Sequence, residues 1–175
     1  LRPVELPGRG TRHHEAPAPS IRALAVDLAL EIARTGGSEV IYGHSFGARL
    51  AFETARLLPG PARPKLLILS CLGPQPPDPG GIPFDGRDAG ALARYARDWH
   101  GEIADQTAWN SLLPGLRHDL ALLAEAGPVR GPALELPMLV IGGRDDPLAP
   151  PESLIGWQAH VTGRFSLPLL SGGHM

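Results

Sequence analysis

Apolar positions along this chain fall into two alternating patterns, helical stripes and short unbroken runs. Ile21, Leu24, Ala25, Leu28 and Ile32 recur three and four positions apart, which places them on one face of an α-helix. Ser20 precedes them as a capping residue, and Gly36-Gly37 stops the helix. Val40-Ile41-Tyr42 then reads as a buried strand, and Gly43 to Gly47 leads into a helix from about Ala48 to Leu58, ended by Pro59-Gly60. Leu66 to Leu72 is a second apolar run with few charges, the pattern of a strand covered on both faces. Met138 to Ile141 predicts a third buried strand, followed by a helix near Pro151 to His160 and a last strand from Arg164 to Leu170. Ahead of all these, Arg2 to Leu6 is a short extended piece that enters the turn Pro7-Gly8-Arg9-Gly10.

Strands alternating with helices imply βαβ units, and hence an α/β fold with a mainly parallel sheet and helices on both faces. Residues 74–132 break that rhythm. Gly73 to Gly86 is dense in Pro and Gly and predicts a loop; helical patterns follow at about Asp88 to Ile103 and about Leu112 to Ala126, and Gly127 to Pro132 punctuates again. The block is too long for a simple crossover and reads as a helical insertion over one edge of the sheet, within a single domain spanning 1–175. No internal repeat interrupts this organisation.

Composition narrows the function classes. The 175 residues are 43% hydrophobic and 19% charged, a globular balance with length enough for a real core. A net charge of -2 without a basic cluster argues against nucleic acid as a partner. No signal peptide or membrane-length apolar stretch is visible, so a cytoplasmic protein that engages no membrane is expected. Cys71 is the single cysteine, so neither an internal disulfide framework nor a Cys-based zinc site is expected, and its apolar context predicts a buried small hydrophobe. His13 and His14 are adjacent but lack further ligands at useful spacing, so they read as a plain surface loop. No metal or cofactor is expected. Fifteen of the sixteen cationic residues are Arg, Lys65 being the exception, a bias of composition rather than of chemistry.

Chemistry enters at Gly43-His44-Ser45-Phe46-Gly47, which matches G-x-S-x-G. A sharp turn from strand to helix holds a serine hydroxyl above the sheet, and the flanking glycines allow close backbone passage. The Phe46 N–H, at the start of the following helix, is then an oxyanion donor. His44 beside the nucleophile is expected to pack or bond locally. A serine needs a histidine to take its proton and a carboxylate to orient that histidine. In folds of this kind the order is Ser, then Asp or Glu, then His, each at the carboxyl end of a strand. Two loops comply: Gly142-Gly143-Arg144-Asp145-Asp146-Pro147 and Ser171-Gly172-Gly173-His174. Asp145 and Asp146 both fit the acid by spacing; Asp146 is favoured because Pro147 follows it and fixes the turn. His174 is the expected base.

With Leu6-Pro7-Gly8-Arg9-Gly10, Arg12, Glu15, Leu116-Arg117-x-Asp119, Gly143-x-x-Asp146-Pro147, Trp157 and Gly172-Gly173-His174, the chain resembles a type II thioesterase, a stand-alone α/β-hydrolase of polyketide and nonribosomal peptide synthesis. The resemblance implies hydrolysis of acyl thioesters on the phosphopantetheine arm of an acyl or peptidyl carrier protein, clearing stalled or wrong acyl groups. It puts the triad on Ser45, Asp146 and His174, and the lid on the helical insertion. There Leu92, Tyr95, Ala96, Trp99, Leu112, Leu113 and Leu116 either line an acyl channel or pack helices, with Tyr95, Trp99, Leu112 and Leu116 the chosen substrate contacts. The family's N-terminal segment, with its His-Ala-Gly-Gly-like oxyanion loop, and its closing helix have no counterpart here, so the chain reads as truncated at both ends. Competing readings are another serine acyl hydrolase, such as a product-releasing thioesterase domain or an esterase, and a non-catalytic acyl-binding relative.

Overall fold

Every strand of the sheet runs parallel to its neighbours. The computed structural model describes residues 2–75 and 106–174. Strands β1 (Val40–His44), β2 (Leu66–Ser70), β3 (Met138–Gly143) and β4 (Phe165–Ser166) lie in the order β1-β2-β3-β4, with β5 (Leu169–Leu170) also pairing with β3. The register aligns Gly43 with Leu69, Ser70 with His44, and Leu69 with Val140, so the carboxyl ends of β1, β2 and β3 come out together at one end of the sheet.

Helix α1 (Ile21–Arg34) begins as the sequence predicts, with the Ala23 N–H donating to the Ser20 hydroxyl at 3.1 Å. It ends through Gly36 and Gly37 at φ 88° and 94°, a left-handed turn that suits glycine. Helix α2 (Phe46–Leu57) starts at Phe46 rather than near Ala48, because the elbow is a single residue and the helix follows it directly. α1 and α2 pack beside β1 and β2 over a core that includes Leu24, Phe52, Leu67, Leu69, Met138 and Val140. Leu67, Leu69 and Val140 are fully buried, and lie on one face of the sheet by period-two alternation.

Several sequence expectations are corrected at element ends. Val40-Ile41-Tyr42 is less buried than expected: Val40 is 45% and Tyr42 56% exposed, and β1 has only β2 as a partner among the described residues. The predicted last strand divides into β4 and β5 around Leu167-Pro168, where proline has no N–H to give the ladder. The helix expected to reach His160 is an α-helix only over Pro151–Leu154 (α4) and tightens into a 3-10 turn over Ile155–His160. Trp157 lies fully inside, where its indole N–H donates to the Leu72 carbonyl at 2.7 Å and its ring meets Phe52 at a tilt of 49°, centroids 4.8 Å apart.

Helix α3 (Gln106–Ala126) begins earlier than the expected Leu112 and contains Pro114. Its middle is fastened to the N-terminal segment. The Arg9 guanidinium donates to both Asp119 carboxylate oxygens, at 2.9 and 2.6 Å, and His118 Nε2 bonds the Ala18 carbonyl at 2.8 Å. This bidentate geometry is the stronger form of the ion pair, and the Asp119 contact raises the Arg9 pKa. It brings Leu-Pro-Gly-Arg-Gly and Leu-Arg-x-Asp together in space. The helix expected at Asp88 to Ile103, and with it Leu92, Tyr95, Ala96, Trp99 and most of the Gly73–Gly86 loop, lie outside the described residues. No described helix is long and apolar enough to cross a membrane.

Candidate active site

Ser45 sits between the last residue of β1 and the first of α2 with φ 51° and ψ -121°, a backbone conformation that a residue with a Cβ rarely adopts. It is held there from both sides: its N–H donates to the Ser70 carbonyl at 2.8 Å, and its own carbonyl accepts from Ala48 at 2.8 Å. A Cβ on Gly43 would stand 2.0 Å from the Gly47 carbonyl oxygen, so the elbow requires glycine at that position. Gly47 differs from expectation, since a Cβ there meets nothing within 4 Å among the described residues. The Phe46 N–H belongs to the first turn of α2, whose donors have no partner within the helix.

The acid and the base arrive on the next loops. Asp146, 3% exposed, follows β3, and its Oδ1 accepts from the Leu148 and Ala149 N–H groups at 2.9 and 3.2 Å. Its Oδ2 lies 2.8 Å from His174 Nδ1, and His174 Nε2 lies 3.1 Å from Ser45 Oγ. Asp145 is exposed and turns away, its N–H donating to the Gly172 carbonyl. The structure thus brings Ser45, Asp146 and His174 together and leaves Asp145 outside. Burial works to raise the Asp146 pKa, but the hydrogen bond and charge of His174 with the two amides outweigh it, holding the carboxyl below its ordinary value. The His174 loop can cross the end of β3 because Gly143 has no Cβ; one would stand 2.2 Å from the Gly173 carbonyl oxygen.

Four residues around this trio, Tyr42, His44, Ser70 and Cys71, were not singled out as site neighbours in the sequence. His44 Nδ1 bonds Ser70 Oγ at 2.9 Å, Ser70 Oγ also meets Tyr42 OH at 3.1 Å, and the His44 ring meets the His174 ring edge-on at 5.2 Å. His44 therefore bonds across to β2 rather than within its own turn. Burial, then the charge of His174, push its pKa down against the opposing pull of Asp146. Its Nε2 is buried without a hydrogen-bond partner among the described residues. Cys71, the residue after β2, is buried as predicted, but with φ 54° it is the one other non-glycine residue in the left-handed region among those described. Burial, and then the charge of Asp146, push its thiol up to about 11. The signal available in the sequence was position alone: Ser70 and Cys71 stand at the carboxyl end of a parallel strand.

Of the expected substrate contacts, Leu112 is 52% exposed, while Leu116 and Leu113 pack with Leu120 and with Leu148, two positions beyond the acid. Tyr95 and Trp99 lie outside the described residues. A cleft of about 390 Å³ between α1, α2 and α3 contains none of the trio, and its Arg49 and Arg56 are already bonded to Glu53. His13 and His14 are exposed.

Comparison with known proteins gives a consistent picture. The thioesterase domain family matches residues 1–175. A protein of Streptomyces griseus named as a probable cadicidin biosynthesis thioesterase is 33% identical over 98% of this chain and 49% of its own length. The structure of RedJ, a thioesterase from the prodiginine biosynthetic pathway of Streptomyces coelicolor, superimposes with a TM-score of 0.86 at 34% identity, covering 99% of this chain and 67% of that one. YbtT, a type II thioesterase from a yersiniabactin NRPS/PKS biosynthetic pathway, gives a TM-score of 0.82 at 28% identity over 98% and 73% of the two chains. The chain thus spans about half the length of the first of these relatives.

Proposed function

The chain belongs to the thioesterase domain family and has the α/β-hydrolase fold, and from that premise we propose that it hydrolyses acyl thioesters carried on the phosphopantetheine arm of a carrier protein, in editing or release during polyketide or nonribosomal peptide synthesis. The observation that carries this reading is the unbroken relay from the Asp146 carboxylate through both nitrogens of His174 to the Ser45 hydroxyl, at 2.8 and 3.1 Å. With Nδ1–H donated to Asp146, the Nε2 lone pair faces Ser45 Oγ.

The chemistry then runs in two halves. Ser45 Oγ attacks the thioester carbonyl as its proton passes to His174 Nε2, and the Phe46 N–H at the positive end of α2 stabilises the oxyanion. Collapse breaks the carbon–sulfur bond, and the departing thiolate takes the proton from Nε2. Water then attacks the acyl-serine, giving a proton to the same nitrogen, which returns it to Ser45 as the carboxylic acid leaves. Ionised Asp146 stabilises the imidazolium formed in each half. The apolar group of Leu113, Leu116, Leu120 and Leu148 beside the acid loop is the surface along which we place the acyl chain.

The test is a fluorophosphonate probe followed by turnover. Labelling that disappears in Ser45→Ala, with acyl-carrier thioesters cleaved faster than matched oxygen esters, supports the reading. Faster oxygen-ester cleavage leaves a serine hydrolase and removes the thioesterase claim. Absence of labelling favours an acyl-binding relative without catalysis.

A further inference from the structure

Cys71 has no part in the acyl transfer just described, yet it is packed against it. One ligand-capable atom each from Cys71, Asp146 and His174 lie within 4.8 Å of one another, all three residues are buried, and no other group of three or more His, Cys, Asp or Glu residues converges this way among the described residues. A thiol, a carboxylate and an imidazole are the donor types that bind zinc and its heavier relative cadmium. We propose that Cys71, Asp146 and His174 form a site for a thiophilic divalent cation, and that the ion inhibits the enzyme reversibly by taking the nitrogen that Asp146 otherwise orients. The proposal rests on the triad reading above.

The geometry is close to what coordination needs. Metal–ligand bonds of about 2.0–2.3 Å at tetrahedral angles set the ligands about 3.3–3.6 Å apart. The Asp146 Oδ2 to His174 Nδ1 separation, 2.8 Å in the metal-free pair, must therefore open by about half an ångström. Cys71 Sγ, at most 4.8 Å from its two partners, must close by about an ångström. Side-chain rotation supplies shifts of that size. The Cys71 backbone lies in the left-handed region at φ 54°, and its N–H donates at 3.0 Å to the carbonyl of Ile141 in β3, the strand that leads to Asp146.

The proton inventory explains the inhibition. In the resting enzyme the single His174 proton is on Nδ1. An ion bound at Nδ1 displaces it to Nε2, where it faces Ser45 Oγ, so the base has no lone pair to offer the nucleophile. The thiol proton of Cys71 is released to solvent as the sulfur–metal bond forms. No electron changes hands, and a chelator reverses every step.

Cadmium tests the site without relying on turnover, because Cys71 is the only thiol in the chain. The intact protein, stripped of metal, is titrated with Cd²⁺ while the ultraviolet thiolate-to-cadmium absorption band is followed. We expect one equivalent to produce the band, thioester hydrolysis to fall in step with it, and EDTA to reverse both. Zn²⁺ should compete for the same site. In Cys71→Ala and in Cys71→Gly, the latter suited to the left-handed backbone, the band disappears. The half-inhibitory Cd²⁺ concentration, with each variant referred to its own metal-free rate, rises at least about tenfold. No band at stoichiometric Cd²⁺, a band without inhibition, or equal inhibition of folded Cys71 variants overturns the proposal. A band in a protein that never hydrolyses thioesters sinks the functional reading and the inhibition while leaving the ion-binding cluster standing.

Discussion

Replacing Asp146 by Asn separates the acid's charge from its shape. The Asn Oδ1 keeps accepting from Leu148 and Ala149, at 2.9 and 3.2 Å, so the loop holds its conformation. The amide nitrogen then occupies the position 2.8 Å from His174 Nδ1, where it donates a hydrogen instead of accepting one. His174 responds by carrying its own proton on Nε2, 3.1 Å from Ser45 Oγ, and the base is lost with the geometry intact. Tautomer reversal of this kind costs about 10⁴-fold in kcat, or roughly 5 kcal/mol of transition-state stabilisation at about 1.4 kcal/mol per decade. The assay is release of free thiol from an acyl-pantetheine substrate, with the unfolding midpoint as a check on the fold. Asp145→Asn is the control: its side chain is exposed, and turnover should stay within about threefold of the parent, as for a surface change. An Asp146→Asn enzyme that keeps more than about a tenth of parental kcat, or an Asp145→Asn enzyme that falls well beyond about threefold, refutes the assignment of the acid.

Gly43→Ala puts a Cβ 2.0 Å from a backbone oxygen that cannot yield; we expect more than about 2 kcal/mol of destabilisation and loss of fluorophosphonate labelling. Gly47→Ala meets open space among the described residues and should stay within about 0.5 kcal/mol of the parent in urea denaturation. Trp157→Phe strands the buried Leu72 carbonyl and should cost about 1–3 kcal/mol in the same measurement. His44 is pushed below its ordinary value of 6.5, so on acidification through that value the unfolded chain takes up a proton before the folded one, and stability falls. His44→Gln should flatten that acid slope by up to about 1.4 kcal/mol per pH unit between pH 6.5 and the folded value; parallel slopes for the two proteins count against it.

The parts of this molecule legible in its sequence are those specified by neighbours along the chain. Ser20 caps the helix it precedes, Gly43 to Phe46 encode a turn from strand to helix, and Gly142 to Pro147 announces a loop after a strand. The choice between Asp145 and Asp146 could not come from spacing, because what separates them is which carboxylate the turn buries toward His174. The failures have the same origin. The exposure of Val40 and Tyr42 depends on what the sheet places beside β1. The pairing of His44 with Ser70 and the approach of Cys71 to Asp146 depend on strand register. Trp157 stood out only as one of the residues that carry the family resemblance, whereas its bond to Leu72 spans 85 positions.

The Ser45 and His174 atoms that meet at 3.1 Å are 129 positions apart in the chain, and β2 and β3 stand in parallel register between the strands that lead to them. Loops of that length close late, after local helices have formed. Turnover is consequently an all-or-none gauge of the finished topology. During refolding, helical signal should recover before thioester cleavage does, and an intermediate with its helices formed but its strands not yet in register would show helical circular dichroism while remaining catalytically silent.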